Sequence, residues 1–285
     1  AQGLLLQCGE RWWMMMMLFA QWFEKAVAAV PTVLGATTAL AASDDVDLPA
    51  ASTGCVLEGE YAVAVPGGCV EWVASVAATT CVLVLVAARD ATGGCTAVGV
   101  AHVTCAAGAR DAVTSLLDDV IAAGGGGGGD GRVTRVACTL VGAYTDGSEC
   151  DGASHENLAT LLRTAADRAG PVPLDIEAAA VMAYNRHGAR GLPAYNAGIA
   201  VRDGRVVLAN VASRGPLATV RMLRISRGVL TRAFAYLPPA AAAAAAATGD
   251  GGDRGSIESY YTIAPFVPSK EVAAVARMLR ALPPA

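Results

Sequence analysis

A cysteine and a histidine stand out in this sequence because their types and spacing could support nucleophilic chemistry. Cys81 heads an apolar, β-type run at residues 82–86, and His102 follows a predicted turn and second strand. A thiolate can attack an amide carbon, and an imidazole can move the protons that the attack requires. His155 and His187 are the only other histidines, so the sequence offers few candidates for a general base.

A β-hairpin would bring these two residues together. Residues 81–87 and 96–103 have the pattern of strands, and the Gly-containing segment 89–94 between them is typical of a turn. With about seven residues on each arm, the hairpin would return His102 to the start of the first strand, next to Cys81. The alternative for His102 is a structural role at a strand end.

The remaining histidines and cysteines are weaker candidates. His155 and His187 lie in polar, Gly-containing surroundings typical of surface positions. Three cysteines that lie in or next to apolar segments are expected to pack as small hydrophobic residues, namely Cys95, Cys105 and Cys138.

Composition excludes some classes of function. The net charge of −4 argues against a nucleic-acid-binding protein, which needs a basic face. Eight cysteines would suggest disulfides in a short secreted chain, but this chain has 285 residues, so we expect reduced thiols and a cytoplasmic or nuclear location. The cysteines form no Cys-x-x-Cys pair, so we expect no structural zinc, and the sequence suggests no cofactor.

The chain divides into an N-terminal extension and one domain. Residues 1–50 form the extension, and its apolar segment 12–23 is too short for the roughly 20 residues that span a bilayer. We expect this segment to form a helix on the core, without membrane contact. Residues 51–285 form the domain, with low-complexity loop insertions at 124–131 and 239–255.

Strand-like segments outnumber helical ones in the domain. This pattern predicts an α+β fold, a single domain with packed mixed or antiparallel sheets, a β-sandwich-like core and helices on the outside. Besides the hairpin, it predicts strands at 56–65 (interrupted at 58–60), 133–141, 171–176, 195–201, 205–211 and 259–265, and helices at 111–123, 154–168 (with Ser154 as N-cap) and 270–282.

Five segments, in the same order along the chain, resemble the protein N-terminal asparagine amidohydrolase family. The first is Ala78-Thr79-Thr80-Cys81, with Glu60 upstream and His102 at the end of the following hairpin. The others are Leu-Val-Gly-Ala-Tyr-Thr-Asp at 140–146, Tyr-Asn-Ala-Gly-Ile-Ala-Val at 195–201, Ser-Arg-Gly-Pro at 213–216 and Ile-Ala-Pro-Phe at 263–266. Together they extend over about residues 56 to 275.

The resemblance implies a deamidase that converts an N-terminal asparagine to aspartate and releases ammonia. It implies Cys81 as the nucleophile. A more distant likeness to bacterial chemoreceptor glutamine deamidases and deamidating cytotoxic toxins places the catalytic pair on Cys81 and His102. Backbone N–H groups near Cys81, with Thr79 or Thr80, would hold the oxyanion.

An acidic residue is needed to bind the free α-ammonium of such a substrate. Glu60, which matches a family glutamate, is the first candidate and Asp146 the second, although either could be an ordinary strand-end or turn carboxylate. The chain departs from the family pattern at two positions. Ala77 replaces an acidic residue before the threonines, and Ala143 replaces the second glycine of a Val-Gly-Gly segment.

The expected partners are proteins or peptides with a free N-terminal asparagine, and the resemblance implies that the product feeds the N-degron degradation pathway. The protein is expected to be a monomer. Two other functions remain open from the sequence: a protein-glutamine deamidase with the same Cys-His chemistry, and a non-catalytic protein-binding relative.

Overall fold

The computed structural model describes residues 18–104, 106–125, 133–145, 151–168, 172–185, 195–215 and 218, and the backbone of 231–235. For residues 106–108 and 151 the description is also limited to the backbone. Within these ranges lie four helices and eleven strands. The helices are α1 (Leu18–Ala28), α2 (Pro31–Ala42), α3 (Ala106–Gly125) and α4 (Asp151–Asp167).

The strands form two sheets. The first has the order β1-β10-β9-β4-β2 and the second the order β11-β3-β6-β5-β7-β8. Their bounds are β1 (Val46–Leu48), β2 (Thr53–Val56), β3 (Glu60–Ala64), β4 (Trp72–Ala78), β5 (Val82–Arg89), β6 (Cys95–Val103), β7 (Arg135–Gly142), β8 (Leu174–Val181), β9 (Tyr195–Ala200), β10 (Val206–Val211) and β11 (Thr231–Ala235). Single 3₁₀ turns occur at Ala50–Ser52 and Met182–Tyr184.

Strand β5 lies in the middle of the second sheet and is buried on both faces. Its alternate residues Leu83 and Leu85 pack between the two sheets, whereas Val84 and Val86 pack in the cluster that includes residues of α3 and α4. A strand buried on both faces needs a continuous apolar run, which explains the sequence of residues 82–88. The predicted α+β class with packed sheets and outer helices is therefore confirmed.

The predicted hairpin is also confirmed. Strands β5 and β6 pair antiparallel, with Leu83 opposite His102, and the chain turns between Arg89 and Cys95. Arg89 is opposite Cys95 after a register shift at Ala88. The hairpin therefore fixes the position of His102 relative to the start of β5.

Several predicted boundaries are wrong. Residues 56–57 and 61–65 do not form one strand, because Gly59 turns the chain at φ 68° and sends β2 and β3 into different sheets. Ser154 is not an N-cap, since the helix begins at Asp151 and the Ser154 hydroxyl donates to the carbonyl of Tyr144. The strand predicted at 171–176 is shifted to Leu174–Val181. The strand and helix predicted beyond residue 258 lie outside the described residues.

The segment predicted to be an N-terminal extension contributes to the packing. Phe23 and Val27 of α1 are buried in the cluster beneath the helices, and the hydroxyl of Thr37 in α2 accepts a hydrogen bond from the backbone of Ala179 in β8. Within the part of the chain that the structure describes, no single helix has the length and apolarity of a membrane span. Taken together, the sequences of α1 and α2 would be long and apolar enough, but the two helices meet at a bend of 102°.

Candidate active site

Cys81 and His102 lie on the side of the hairpin that faces the first sheet. Leu83 is directly opposite His102, and Cys81 lies two positions before Leu83, so all three share one face. Sγ of Cys81, a ring nitrogen of His102 and a carboxylate oxygen of Glu58 all lie within 4.8 Å of one another. Cys81 is 8% exposed and His102 is fully buried, so a substrate would reach the sulfur before the imidazole.

Ser75 on β4 fixes the orientation of the imidazole. Its Oγ lies 2.9 Å from Nδ1 of His102 and donates to the carbonyl of Val56 at 2.7 Å. A hydroxyl has one proton, and the Val56 carbonyl accepts the hydrogen bond that it donates, so Oγ accepts a hydrogen bond from Nδ1–H of His102. The hydrogen bonds therefore assign the proton to Nδ1 and leave the lone pair on Nε2, which has no hydrogen-bond partner among the described residues.

Burial also decides the charge of this imidazole. Loss of solvent around the fully buried ring lowers the pKa of His102 from 6.5 to about 3. The resting site therefore contains a neutral imidazole at neutral pH. Its unprotonated Nε2 is in the form that a general base requires.

The backbone around Cys81 is held by three hydrogen bonds from other segments. The amides of Ala143 and Tyr144 donate to the carbonyls of Cys81 and Thr79, at 2.7 and 2.8 Å. The buried side-chain amide of Asn157 donates to Thr80 at 3.3 Å and to Thr104 at 3.2 Å. Asn157 thus links the segment before the nucleophile to the end of the strand that carries His102.

Gly142 is required by its close approach to Cys81. It has φ 110°, and a Cβ at this position would overlap the carbonyl oxygen of Cys81. We expect Gly142→Ala to displace the nucleophile, to lower kcat by roughly 10²-fold and to destabilise the fold by about 1–3 kcal/mol. Steady-state kinetics and urea unfolding would measure both effects, with Gly35→Ala as the control because its Cβ would meet open space. Unchanged kinetics would contradict this role.

The structure places the other predicted site residues, Glu60 and Asp146 for substrate binding and Thr80 for catalysis, in different ways. The Glu60 side chain is buried, and one of its oxygens accepts from the amide of Leu57 at 2.8 Å. Thr80 is half-buried and its carbonyl is the acceptor for Asn157. Asp146 lies outside the described residues. The acid that the fold brings to the Cys81–His102 pair is instead Glu58, from the turn between β2 and β3.

The departure at Ala143 has a visible consequence. Ala143 is buried at φ 44°, in the left-handed region that favours glycine. Ala77 is likewise left-handed at φ 61°, at the bulge of β4 between Ser75 and Ala78. Bulges often redirect a strand next to active sites, and this one follows directly after the residue that orients His102.

Burial keeps two other cysteines of the described part in the thiol form. Burial raises the pKa of Cys95 to about 11 and that of Cys138 to about 12, so both stay protonated at neutral pH. Cys138 packs in the cluster that includes residues of α3 and α4, in agreement with its predicted role. Cys105 lies outside the described residues.

Comparison with known families shows the family of this chain. Residues 46–236, which contain the whole cluster, match the family described as protein N-terminal asparagine amidohydrolase. The chain belongs to that family. A comparison with curated proteins found no significant match. As an amidohydrolase of this family, the protein acts on an N-terminal asparagine, and its substrates are proteins or peptides that carry one.

The donor atoms of the amidohydrolase site could also hold a metal ion. A thiolate, an imidazole and a carboxylate are all ligands of Zn²⁺, and three protein ligands leave a coordination position open. The cysteine spacing could not reveal this set, because its members come from three separate segments. The same three groups are also suited to thiol chemistry without a metal.

Sequence reasoning missed three residues that the fold brings to the Cys81–His102 pair: Ser75, Glu58 and Asn157. No motif marks them, since each comes from a segment outside the hairpin and reaches the pair only through tertiary contacts. The only sequence signal was the acidic Glu58 in a turn beside a matched segment.

We expect Ser75→Ala to lower kcat of the amidohydrolase by about 10²-fold with little change in KM. The substitution removes the acceptor for Nδ1, so the imidazole loses its fixed orientation and proton position. Ser75→Thr keeps the hydroxyl and is the matched control. Steady-state kinetics on an Asn-Gly peptide would test this, and full activity of Ser75→Ala would refute the positioning role.

The buried imidazole should also make stability depend on pH. The pKa of His102 is lowered to about 3 in the folded protein, so the unfolded chain binds a proton first as the pH falls. Stability is therefore lost between about pH 6.5 and 3, at up to about 1.4 kcal/mol per pH unit. Urea unfolding at pH 7.0 and 4.5 should show a smaller loss for His102→Gln than for the unmodified protein. Equal losses would contradict this source of acid sensitivity.

Proposed function

We propose that Cys81 and His102 catalyse the hydrolysis of the N-terminal asparagine side chain through a thioester. Nε2 of His102 takes the thiol proton while Sγ of Cys81 attacks the side-chain amide carbon. The C–N bond then breaks, and His102 gives the proton to the departing ammonia. Water adds to the thioester with His102 as base, and the Cys81 sulfur leaves as the aspartate product forms.

One observation carries this proposal: the sulfur of Cys81 lies within 4.8 Å of a ring nitrogen of His102, whose Nδ1 is bonded to Ser75. Small movements on substrate binding would bring such a pair into hydrogen-bonding reach, since catalytic contacts are often longer in unliganded enzymes. The neutral form of His102 supports its role as base.

The backbone N–H groups of the segment Thr79-Thr80-Cys81 are the proposed oxyanion hole. The carbonyls of Thr79 and Thr80 share peptide planes with the N–H groups of Thr80 and Cys81. Both carbonyls accept hydrogen bonds from protein donors, which restricts rotation of these two planes. Fixed donors stabilise developing charge without reorganisation. Thr80 would contribute through this backbone.

The product of the proposed reaction is a protein with an N-terminal aspartate, which we propose enters the N-degron degradation pathway. The protein would act as a monomer in the cytoplasm or the nucleus. The net charge of −4 and the five thiols that the structure describes support such a setting.

A substrate panel tests the proposed function. Peptides with N-terminal Asn, N-acetyl-Asn, internal Asn, N-terminal Gln and internal Gln are incubated with the protein in parallel with and without EDTA. Ammonia release and a mass increase of about 1 Da are expected only for the free N-terminal Asn, because amide is exchanged for acid at that residue. Hydrolysis of internal Gln would indicate a protein-glutamine deamidase. No hydrolysis of any peptide would refute the proposal, and activity lost only with EDTA would refute a metal-free mechanism.

A further inference from the structure

The carboxylate of Glu58 lies beside the thiol of Cys81. One of its oxygens lies within 4.8 Å of both Sγ of Cys81 and a ring nitrogen of His102. Its side chain is half-buried, and among the described residues it has neither an ion-pair nor a hydrogen-bond partner. A carboxylate in this position needs an explanation, since partly buried charges are usually paired.

The turn that carries Glu58 is fixed from two sides. The Glu60 carboxylate accepts a hydrogen bond from the amide of Leu57 at 2.8 Å, and the Leu57 carbonyl accepts one from the amide of Glu60 at 3.0 Å. The amide of Gly59 donates to the carbonyl of His102 at 3.0 Å. Glu58 is therefore held in register with the residue that serves as base, and its position next to Cys81 is built into the fold.

The charge of Glu58 works against the chemistry of the free enzyme. A carboxylate opposes formation of a thiolate at this distance, because two like charges would be adjacent in a partly dry site. A bound cation would remove this penalty. Among the described residues, no cation forms an ion pair with Glu58, and a cationic ligand would provide one.

We infer that Glu58 binds the α-ammonium of the substrate and that this contact releases the nucleophile from electrostatic inhibition. The inference rests on the proposed function. In an N-terminal asparagine, the α-nitrogen is three bonds from the amide carbon, or about 3–4 Å. With Sγ of Cys81 about 3–3.5 Å from that carbon, the ammonium lies within reach of a carboxylate at the observed position.

This assignment explains selectivity for the chain terminus. An internal or acetylated asparagine has no positive charge to offer, so Glu58 would stay uncompensated and Cys81 would remain the weaker nucleophile. Glu60 then has a positioning role, since its buried carboxylate holds the turn from which Glu58 projects.

The test compares two substrates and two enzymes. One substrate is an Asn-Gly peptide, and the other is its isostere with a hydroxyl in place of the α-ammonium. We expect Glu58→Gln to lower kcat/KM for the ammonium substrate by about 30–100-fold and to leave that for the hydroxyl substrate within about threefold. A merely structural role for Glu58 would slow both substrates equally, and that result would overturn the inference.

In a second measurement, Glu58→Gln should raise a rate instead of lowering it. Alkylation of Cys81 by iodoacetamide, followed by peptide mapping, reports how readily the thiol ionises. Removing the neighbouring negative charge should raise this rate in Glu58→Gln by up to about tenfold, while peptide hydrolysis falls. A reduced or unchanged alkylation rate would overturn the inhibitory part of the inference.

Controls separate this inference from the proposed function. Glu71→Gln alters an exposed carboxylate and should leave both rates unchanged, and Glu58→Asp should restore part of the preference for ammonium. Glu60→Gln keeps an acceptor oxygen for Leu57 and should slow both substrates by the same factor.

If unmodified enzyme hydrolyses neither substrate, the proposed function fails. The inference alone fails under a different result. In that case the unmodified enzyme hydrolyses the ammonium substrate, and the preference for ammonium over hydroxyl is lost in Glu60→Gln but kept in Glu58→Gln.

Discussion

Replacing Cys81 with alanine is expected to lower kcat/KM for an N-terminal asparagine peptide by about 10⁴-fold or more. The proposed mechanism has no other nucleophile, and the remaining site offers a water molecule only weak activation. Ammonia release under single-turnover conditions, at enzyme in excess, measures the loss. The KM of any residual activity should change little, because Glu58 and the backbone donors remain.

Two variants serve as controls for Cys81. Cys69→Ala removes another thiol of the described part, half-buried and outside the cluster, and should retain full activity. Cys81→Ser keeps the shape of the side chain but has a far less acidic nucleophile, so we expect it to be nearly as inactive as Cys81→Ala. Substantial hydrolysis by either Cys81 variant would show that the thiol is not the attacking group.

His102→Gln is expected to lower kcat by about 10³-fold with KM nearly unchanged. Glutamine can fill the buried site and bond Ser75, but it cannot accept a proton from Cys81 or return one to ammonia. Both the formation and the hydrolysis of the thioester should slow. Circular dichroism would verify the fold, since the side chain at this position is fully buried.

Alkylation separates the two roles of His102. If the imidazole takes the thiol proton, Cys81 in His102→Gln should react more slowly with iodoacetamide than in the unmodified enzyme. A variant with full kcat would contradict the assignment of the base. A variant with reduced kcat and unchanged alkylation would limit His102 to the later proton transfers.

The hairpin could be predicted because its sequence is unambiguous. Residues 82–88 are apolar at every position, as a strand buried on both faces requires, and a Gly-containing turn separates them from β6. Two-residue periodicity then places Cys81 and His102 on the same face. The family match adds the reaction, which we propose that this pair catalyses.

Other parts of the fold gave no such local signal. Strand β4 is rich in small residues, with Ala74, Ser75 and Ala77 among its seven positions, and this composition hides its place between β9 and β2. Helix α2 and strand β1 lie in an alanine- and threonine-rich stretch, and among the described residues α2 packs mainly on β8 while β1 pairs with β10. Tertiary packing decides such segments.

The third and fourth members of the site depend on long-range contacts. Ser75 can orient His102 only because β4 crosses above β6 in the opposite sheet, and Glu58 reaches Cys81 only because the chain turns at Gly59. No characteristic sequence spacing predicts either contact. The sequence favoured Glu60 for the ammonium, and in the fold one oxygen of that carboxylate accepts a hydrogen bond from the amide of Leu57.

The most direct test of Cys81 as the nucleophile is covalent labelling with a substrate analogue. A peptide whose N-terminal asparagine carries a diazomethyl ketone in place of the side-chain amide presents an electrophilic group to the attacking atom. Intact-mass measurement and peptide mapping should show one label per chain, located on Cys81, with loss of activity and protection by an Asn-Gly peptide. Loss of activity with the label on another residue, or with no label on Cys81, would contradict the mechanism.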